Sequence, residues 1–158
     1  MQVVSHRRSF VALAALLVLA AQPASSQDDP SPVRMDPDKM AGLDLTAVGG
    51  GAYEDILVEG ELKFRVATLF GGEELRVSVF ESTPATTDHR TRPLDVDEFV
   101  LVLSGKLILT EQNGTVQEFT PGQMVVLPRG YTGRWTMEGN YRELAITAQP
   151  RGVTAPTN

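Results

Sequence analysis

The side chains with the types to do chemistry fall in two stretches of this 158-residue chain. The first is Asp88-His89-Arg90-Thr91-Arg92-Pro93, which runs into Asp95, Asp97 and Glu98; the second holds Tyr131, Arg134 and Trp135. Glu98 opens a run whose later residues are almost wholly apolar. A carboxyl carried into a pocket there would have a raised pKa and could serve as hydrogen-bond acceptor or general base. The alternative is a strand-end carboxylate in solvent or paired with an arginine. His89 is an acid or base candidate, or a surface-loop histidine. The Arg90 and Arg92 guanidinium groups suit a carboxylate or phosphate, or they offset Asp88, Asp95 and Asp97. Tyr131 could donate a phenolic hydrogen bond. Trp135 and Arg134 are adjacent on one extended run and must face opposite ways, so Arg134 is read as the polar candidate and Trp135 as packing. The catalytic candidates are therefore Glu98, His89 and Tyr131, and the ligand-binding candidates Glu98, Arg92, Tyr131 and Arg134.

Composition removes several chemistries. Arg7 and Arg8 precede an apolar run from Phe10 to Ala21 and the small residues Ala24-Ser25-Ser26, the pattern of a secretory signal peptide over 1–26. A run of twelve is too short to span a bilayer, which takes about 20 residues. Cleavage after Ser26 changes 14 Lys+Arg against 20 Asp+Glu into 12 against 20, a balance of −8, and leaves His89 as the sole histidine beside zero cysteines. A Cys nucleophile, a disulfide scaffold and any multi-histidine or Cys/His metal centre are excluded within one chain. The acidic balance argues against nucleic acid. No serine sits in a nucleophile-elbow pattern, and Gly49-Gly50-Gly51 lacks the lysine of a phosphate loop. The expected locations are the periplasm or the cell exterior, with no membrane association after cleavage.

These candidates must be positioned by strands. Residues 27–50 read as a flexible leader rich in Asp and Pro, in which Met40–Val48 suits a short helical turn. Residues 51–150 form the folded domain and 151–158 a flexible tail. The apolar runs are Leu62–Phe70, Leu75–Glu81, Glu98–Leu103, Lys106–Glu111, Thr115–Phe119, Met124–Leu127, Gly133–Met137 and Tyr141–Thr147. Alternation in Leu75/Val77/Val79 and Phe99/Leu101/Leu103 predicts strands with one buried face. Tight reversals are expected at Ser104-Gly105, Pro121-Gly122 and Glu138-Gly139-Asn140, and a type I′ hairpin at Asn113-Gly114. Phe64, Phe70, Phe80, Phe99 and Phe119 are expected in the core or on a dimer face. Evenly spaced short strands predict an all-β antiparallel sandwich or barrel.

Two spacings carry a family resemblance. Glu98 followed by FVLVLS and Gly105 gives Glu-x6-Gly; Gly122-QMVVL-Pro128-Arg129-Gly130 gives Gly-x5-Pro-x-Gly. With a hairpin between them they resemble the paired motifs of the cupin superfamily. DEFVLVLSGKLILTEQNG and FTPGQMVVLPRGYTGRW resemble the ureidoglycine aminohydrolase and ethanolamine-utilisation subgroup. The resemblance implies a jelly-roll barrel with a ligand pocket in its mouth, and frequent homodimers. It also implies where metal ligands would stand. The His-x-His places hold Thr91 and Pro93, or Arg92 and Leu94; the second-motif histidine place is Gly133, the closing asparagine place Met137, and the usual aspartate is Gln123. Only Glu98 of the expected ligand set remains, so no metal and no cofactor are expected.

The combined expectation is an exported cupin-domain protein that binds a small polar molecule without a metal. The alternative is a hydrolase or isomerase resembling ureidoglycine aminohydrolase or the sugar-modifying cupins, with a third reading as a structural, dimer-forming protein.

Overall fold

Nine strands, one short α-helix and a 3-10 turn at Glu54–Ile56 form among the described residues, which in this computed structural model are 31–49, 51 and 53–149. In chain order they are α1 (Pro37–Met40), β1 (Thr46–Ala47), β2 (Leu57–Gly60), β3 (Phe64–Gly71), β4 (Leu75–Ser82), β5 (Ala85–Asp88), β6 (Glu98–Thr110), β7 (Val116–Phe119), β8 (Met124–Leu127) and β9 (Arg134–Ala148). The chain divides into units 1–32 and 33–158, and all these elements belong to the second. The expected signal peptide (1–26) and tail (151–158) lie outside the described residues.

β6 and β9 organise the sheet. They pair antiparallel along nearly their whole lengths, Glu98 opposite Thr147 at one end and Thr110 opposite Arg134 at the other. The far edge of β9 pairs with β4 over its second half and with β5 over its first. The far edge of β6 takes β8 and then β7. One half of the sheet thus runs β1-β3-β4-β9-β6-β8, and the other β2-β5-β9-β6-β7. This curled all-β antiparallel arrangement is the expected jelly roll.

The two long strands correct the expected reversals. Ser104-Gly105 and Glu138-Gly139-Asn140 lie within β6 and β9, where the pairing register shifts between Val102 and Lys106. Both glycines take positive φ, +68° at Gly105 and +69° at Gly139, so the strands bend there and cross from one half of the sheet to the other. A Cβ on Gly105 would stand 2.5 Å from the Glu138 carbonyl oxygen and 2.7 Å from Tyr141 Cα. The Asn113 hairpin also differs from expectation. Among described non-glycine residues only Asp44 has positive φ, so Asn113-Gly114 is not type I′. Gly114 N–H donates to the Glu111 carbonyl at 3.0 Å and Glu111 N–H to the Thr115 carbonyl at 2.9 Å, the three-residue loop that ends in a left-handed glycine.

The barrel interior is filled by Val100, Val102, Leu107, Leu109, Leu127, Trp135, Met137 and Tyr141. On β6 the inward row is therefore Glu98/Val100/Val102, and Phe99/Leu101/Leu103 faces outward. Leu103 joins a second cluster with Leu45, Ala67, Val79, Leu69, Leu144 and Met40. Val79 also lies there and Val77 is buried too, while Leu75 at the start of the same alternating row of β4 is exposed. Part of the stretch read as a leader is accordingly folded onto the sheet. Asp36 caps α1 by accepting from the Asp38 N–H at 2.9 Å, with Pro37 in the first turn; Leu45 is buried, and β1 pairs with β3.

Candidate functional site

The inward face leaves a cavity of about 130 Å³ between the halves of the sheet, room for roughly four waters or a ligand of a few heavy atoms. Its wall includes Phe64 from β3, Phe80 from β4, Thr87 from β5, Glu98 from β6, and Trp135, Met137, Tyr141 and Glu143 from β9. His89, Leu94, Leu62 and Tyr53 close it from the connecting segments. Two carboxyl groups in an otherwise largely apolar chamber are its distinguishing chemistry.

Glu98 occupies the first inward position of β6. Burial pushes its carboxyl up to about 7, and the nearby Asp95 charge adds to the effect. Glu143 lies at an inward position of β9 and is 6% exposed. Burial pushes it up to about 8, the Glu98 charge adds, and a hydrogen bond from Tyr141 opposes. That bond runs from Tyr141 Oη to Glu143 Oε2. Burial and the Glu143 charge raise the Tyr141 phenol far above its ordinary value, so it remains a donor. The two carboxyl groups thus exchange protons with solvent near neutral pH, where either could accept or deliver one.

His89 lines the same cavity, but both its nitrogens are engaged. Nδ1 lies 3.3 Å from the Arg92 carbonyl oxygen, which can only accept. Burial depresses the imidazole pKa, and in the neutral ring Nε2 then accepts from Thr87 Oγ1, 3.3 Å away. The ring packs 5.2 Å from that of Trp135.

The other sequence candidates stand elsewhere. Arg92 is outside the cavity wall; its guanidinium lies 4.8 Å over the Tyr53 ring and its Nη1 3.2 Å from Asp55. Arg134 points outward, as the alternation with buried Trp135 requires, and its Nε donates to Asp88 Oδ2 at 3.1 Å. Arg90 binds the same carboxylate; together they hold Asp88 far below the ordinary carboxylate range, Arg90 contributing most. This favours the charge-offset reading of Arg90. Tyr131 packs against the interior from a separate depression beside Leu109 and Pro128. A Cβ on Gly133 would stand 2.0 Å from the Tyr131 hydroxyl, so the bare glycine makes room for that phenol. Sequence reasoning missed Glu143, Tyr141 and Tyr53. The parity of Trp135/Met137 and Tyr141/Ala145 marks Glu143 as an inward carboxyl on an apolar strand face, and that was the available signal.

Comparisons with known proteins agree with this architecture. Residues 73–142 match the model of the EutQ-like cupin domain. The structure superposes with TM-score 0.56 on a protein of unknown function from Pseudomonas syringae pv. tomato, at 25% identity over 65% of this chain and 43% of that one. Over residues 73–142 the chain is similar to a cupin domain. The Clostridium difficile EutQ protein shares the fold at TM-score 0.50 and 19% identity, over 61% of this chain and 78% of that one. The chain thus spans less than half the length of the Pseudomonas syringae protein. No curated protein matches the chain.

The donor set of this chain does not fit the metal centre that the resemblance implies. Among the described residues no group of three His, Cys, Asp or Glu side chains could hold an ion. Gly133 stands at one ligand place, with the Tyr131 ring against it. Met137 and Leu94, at two others, present apolar side chains to the cavity. His89 and Glu143 already hold protein partners.

Proposed function

We propose that this is an exported cupin that binds a small polar molecule in its barrel cavity without a metal. The observation that carries the reading is the chamber lined by Glu98 and Glu143: two hydrogen-bonding groups in an apolar wall can orient a ligand that the wall desolvates. Its size calls for a compact ligand. The paired carboxyl groups, with pKa values pushed up to about 7 and about 8, favour a second reading as an acid–base hydrolase or isomerase acting in the same chamber. Turnover by the wild type that is lost in Glu98→Gln, with ligand binding retained, would select that reading over simple binding.

The test is a thermal-shift screen of the full chain against metals, sugars, ureides, amines and small carboxylates, since a ligand of the folded state raises its apparent stability. The expected result is stabilisation by a compact polar compound, weakened in Glu98→Gln, and substoichiometric metal by elemental analysis. One tightly bound metal per chain would overturn the metal-free reading. A screen with no stabilising compound would overturn the binding reading. Export is checked by fractionating cells that express the full chain, with retention in the cytosol as the contrary result.

A further inference from the structure

The composition of the cavity wall points to the charge of its ligand. Among the described residues no lysine or arginine lines it, while two glutamates do. Around them stand five aromatic rings, those of Tyr53, Phe64, Phe80, Trp135 and Tyr141. Aromatic faces attract cations through the ring quadrupole, most strongly where water is excluded. The protein already makes this contact once: the Arg92 guanidinium lies 4.8 Å over the outer ring, Tyr53.

The Glu98 and Glu143 carboxyl groups lie in that wall, where a bound cation would offset the charge that burial disfavours. Carboxylates and aromatic wall therefore ask for the same kind of ligand. We infer that the ligand is a small organic cation, its ammonium head set among the rings beside Glu98 and Glu143. This rests on the proposal that the cavity binds a small molecule at all, and adds the class of molecule.

Trp135 is the only tryptophan in the chain, so its fluorescence reports occupancy directly. The experiment titrates the full chain with choline, with its neutral isostere 3,3-dimethylbutan-1-ol, and with the anion 3,3-dimethylbutanoate. Choline is expected to bind at least about tenfold more tightly than the neutral isostere, and the anion not measurably. Glu98→Gln should reduce that preference, as should Tyr53→Leu, which keeps an apolar wall and guards against a folding defect in the first variant. Choline affinity should also rise between pH 6 and 9 as Glu98 and Glu143 lose their protons. Asp95 and Asp55 add to that field and Arg92 opposes it; Tyr53 and Tyr141 remain neutral there, and burial favours the neutral form of His89. Equal binding of choline and the alcohol, or preference for the anion, would overturn the cation assignment and leave the cavity-binding proposal standing. Silence toward all three, while another compound of the broader screen binds, would do the same. Silence toward every compound would overturn both.

Discussion

Glu143 is a residue whose placement costs the fold free energy. A carboxyl group taken out of water favours its neutral form, and the hydrogen bond from Tyr141 only partly offsets that burial. The sign of the consequence follows from linkage. With its folded pKa pushed up to about 8, the native state binds more protons than the unfolded chain, whose carboxyl titrates near its ordinary value. Stability therefore falls as pH rises through that interval. Glu143→Gln keeps an oxygen to accept from Tyr141 and removes the titration. It should melt within about 1 °C of wild type at pH 5 and roughly 5 °C above it at pH 9, as read by circular dichroism. A variant that melts lower at both values would show that the carboxylate is not buried as described. At this scale the sequence was partly legible. Glu98 and His89 stand out by residue type and position, and they share one cavity. Arg134 and Tyr131 have suitable types, but strand parity turned the first outward, and the space at Gly133 let the second settle in a separate depression.

The elements owe their continuity to two bent glycines. Propensity and alternation located the apolar runs, and most became strands at nearly the expected bounds. Glycine beside a polar residue is the signal of a reversal, however, and it is equally the signal of a bulge. Ser104-Gly105 and Glu138-Gly139-Asn140 proved to be bulges because β6 and β9 pair with each other through them. Such a partner is invisible to a local reading. Gly105→Ala should lower stability by more than about 2 kcal/mol, since it combines a left-handed backbone with a Cβ pressed on the Glu138 carbonyl and on Tyr141. Gly114→Ala shares the positive φ, +86°, but meets nothing within 4 Å, and should cost only about 1 kcal/mol. Urea unfolding of the two variants tests the contrast, and equal losses would remove the packing role given to Gly105.

At the scale of the molecule, opposed groups of carboxylates set the pH of greatest stability. Asp88, held low by Arg90 and Arg134, stabilises the fold above its unfolded pKa and loses that contribution as pH falls. Glu81 acts in the same sense: burial raises its pKa, but hydrogen bonds from Arg65 and Arg142 outweigh that and leave it lowered. Glu98 and Glu143 act oppositely and weaken the fold as pH rises toward about 7 and about 8. The net acidic charge adds repulsion in the same direction. Maximal stability should therefore fall at about pH 5, below neutrality. Melting temperatures across pH 3 to 9 check it, and a maximum at or above pH 7 would contradict the burial of the two glutamates.

The sequence by itself determined the fold class and the residue types that are absent. Alternating runs and turn residues specify an all-β antiparallel fold because they are local properties of the backbone and its pleat, and the resemblance carried by two motif spacings implies the jelly roll. The absence of cysteine and the displaced histidine needed only counting. Which residues share a chamber was decided by tertiary structure alone. Glu98 and Glu143 lie far apart in the chain and were brought to one cavity by β6–β9 pairing and by the bends at Gly105 and Gly139. Their raised pKa values exist only because the closed barrel keeps water from them.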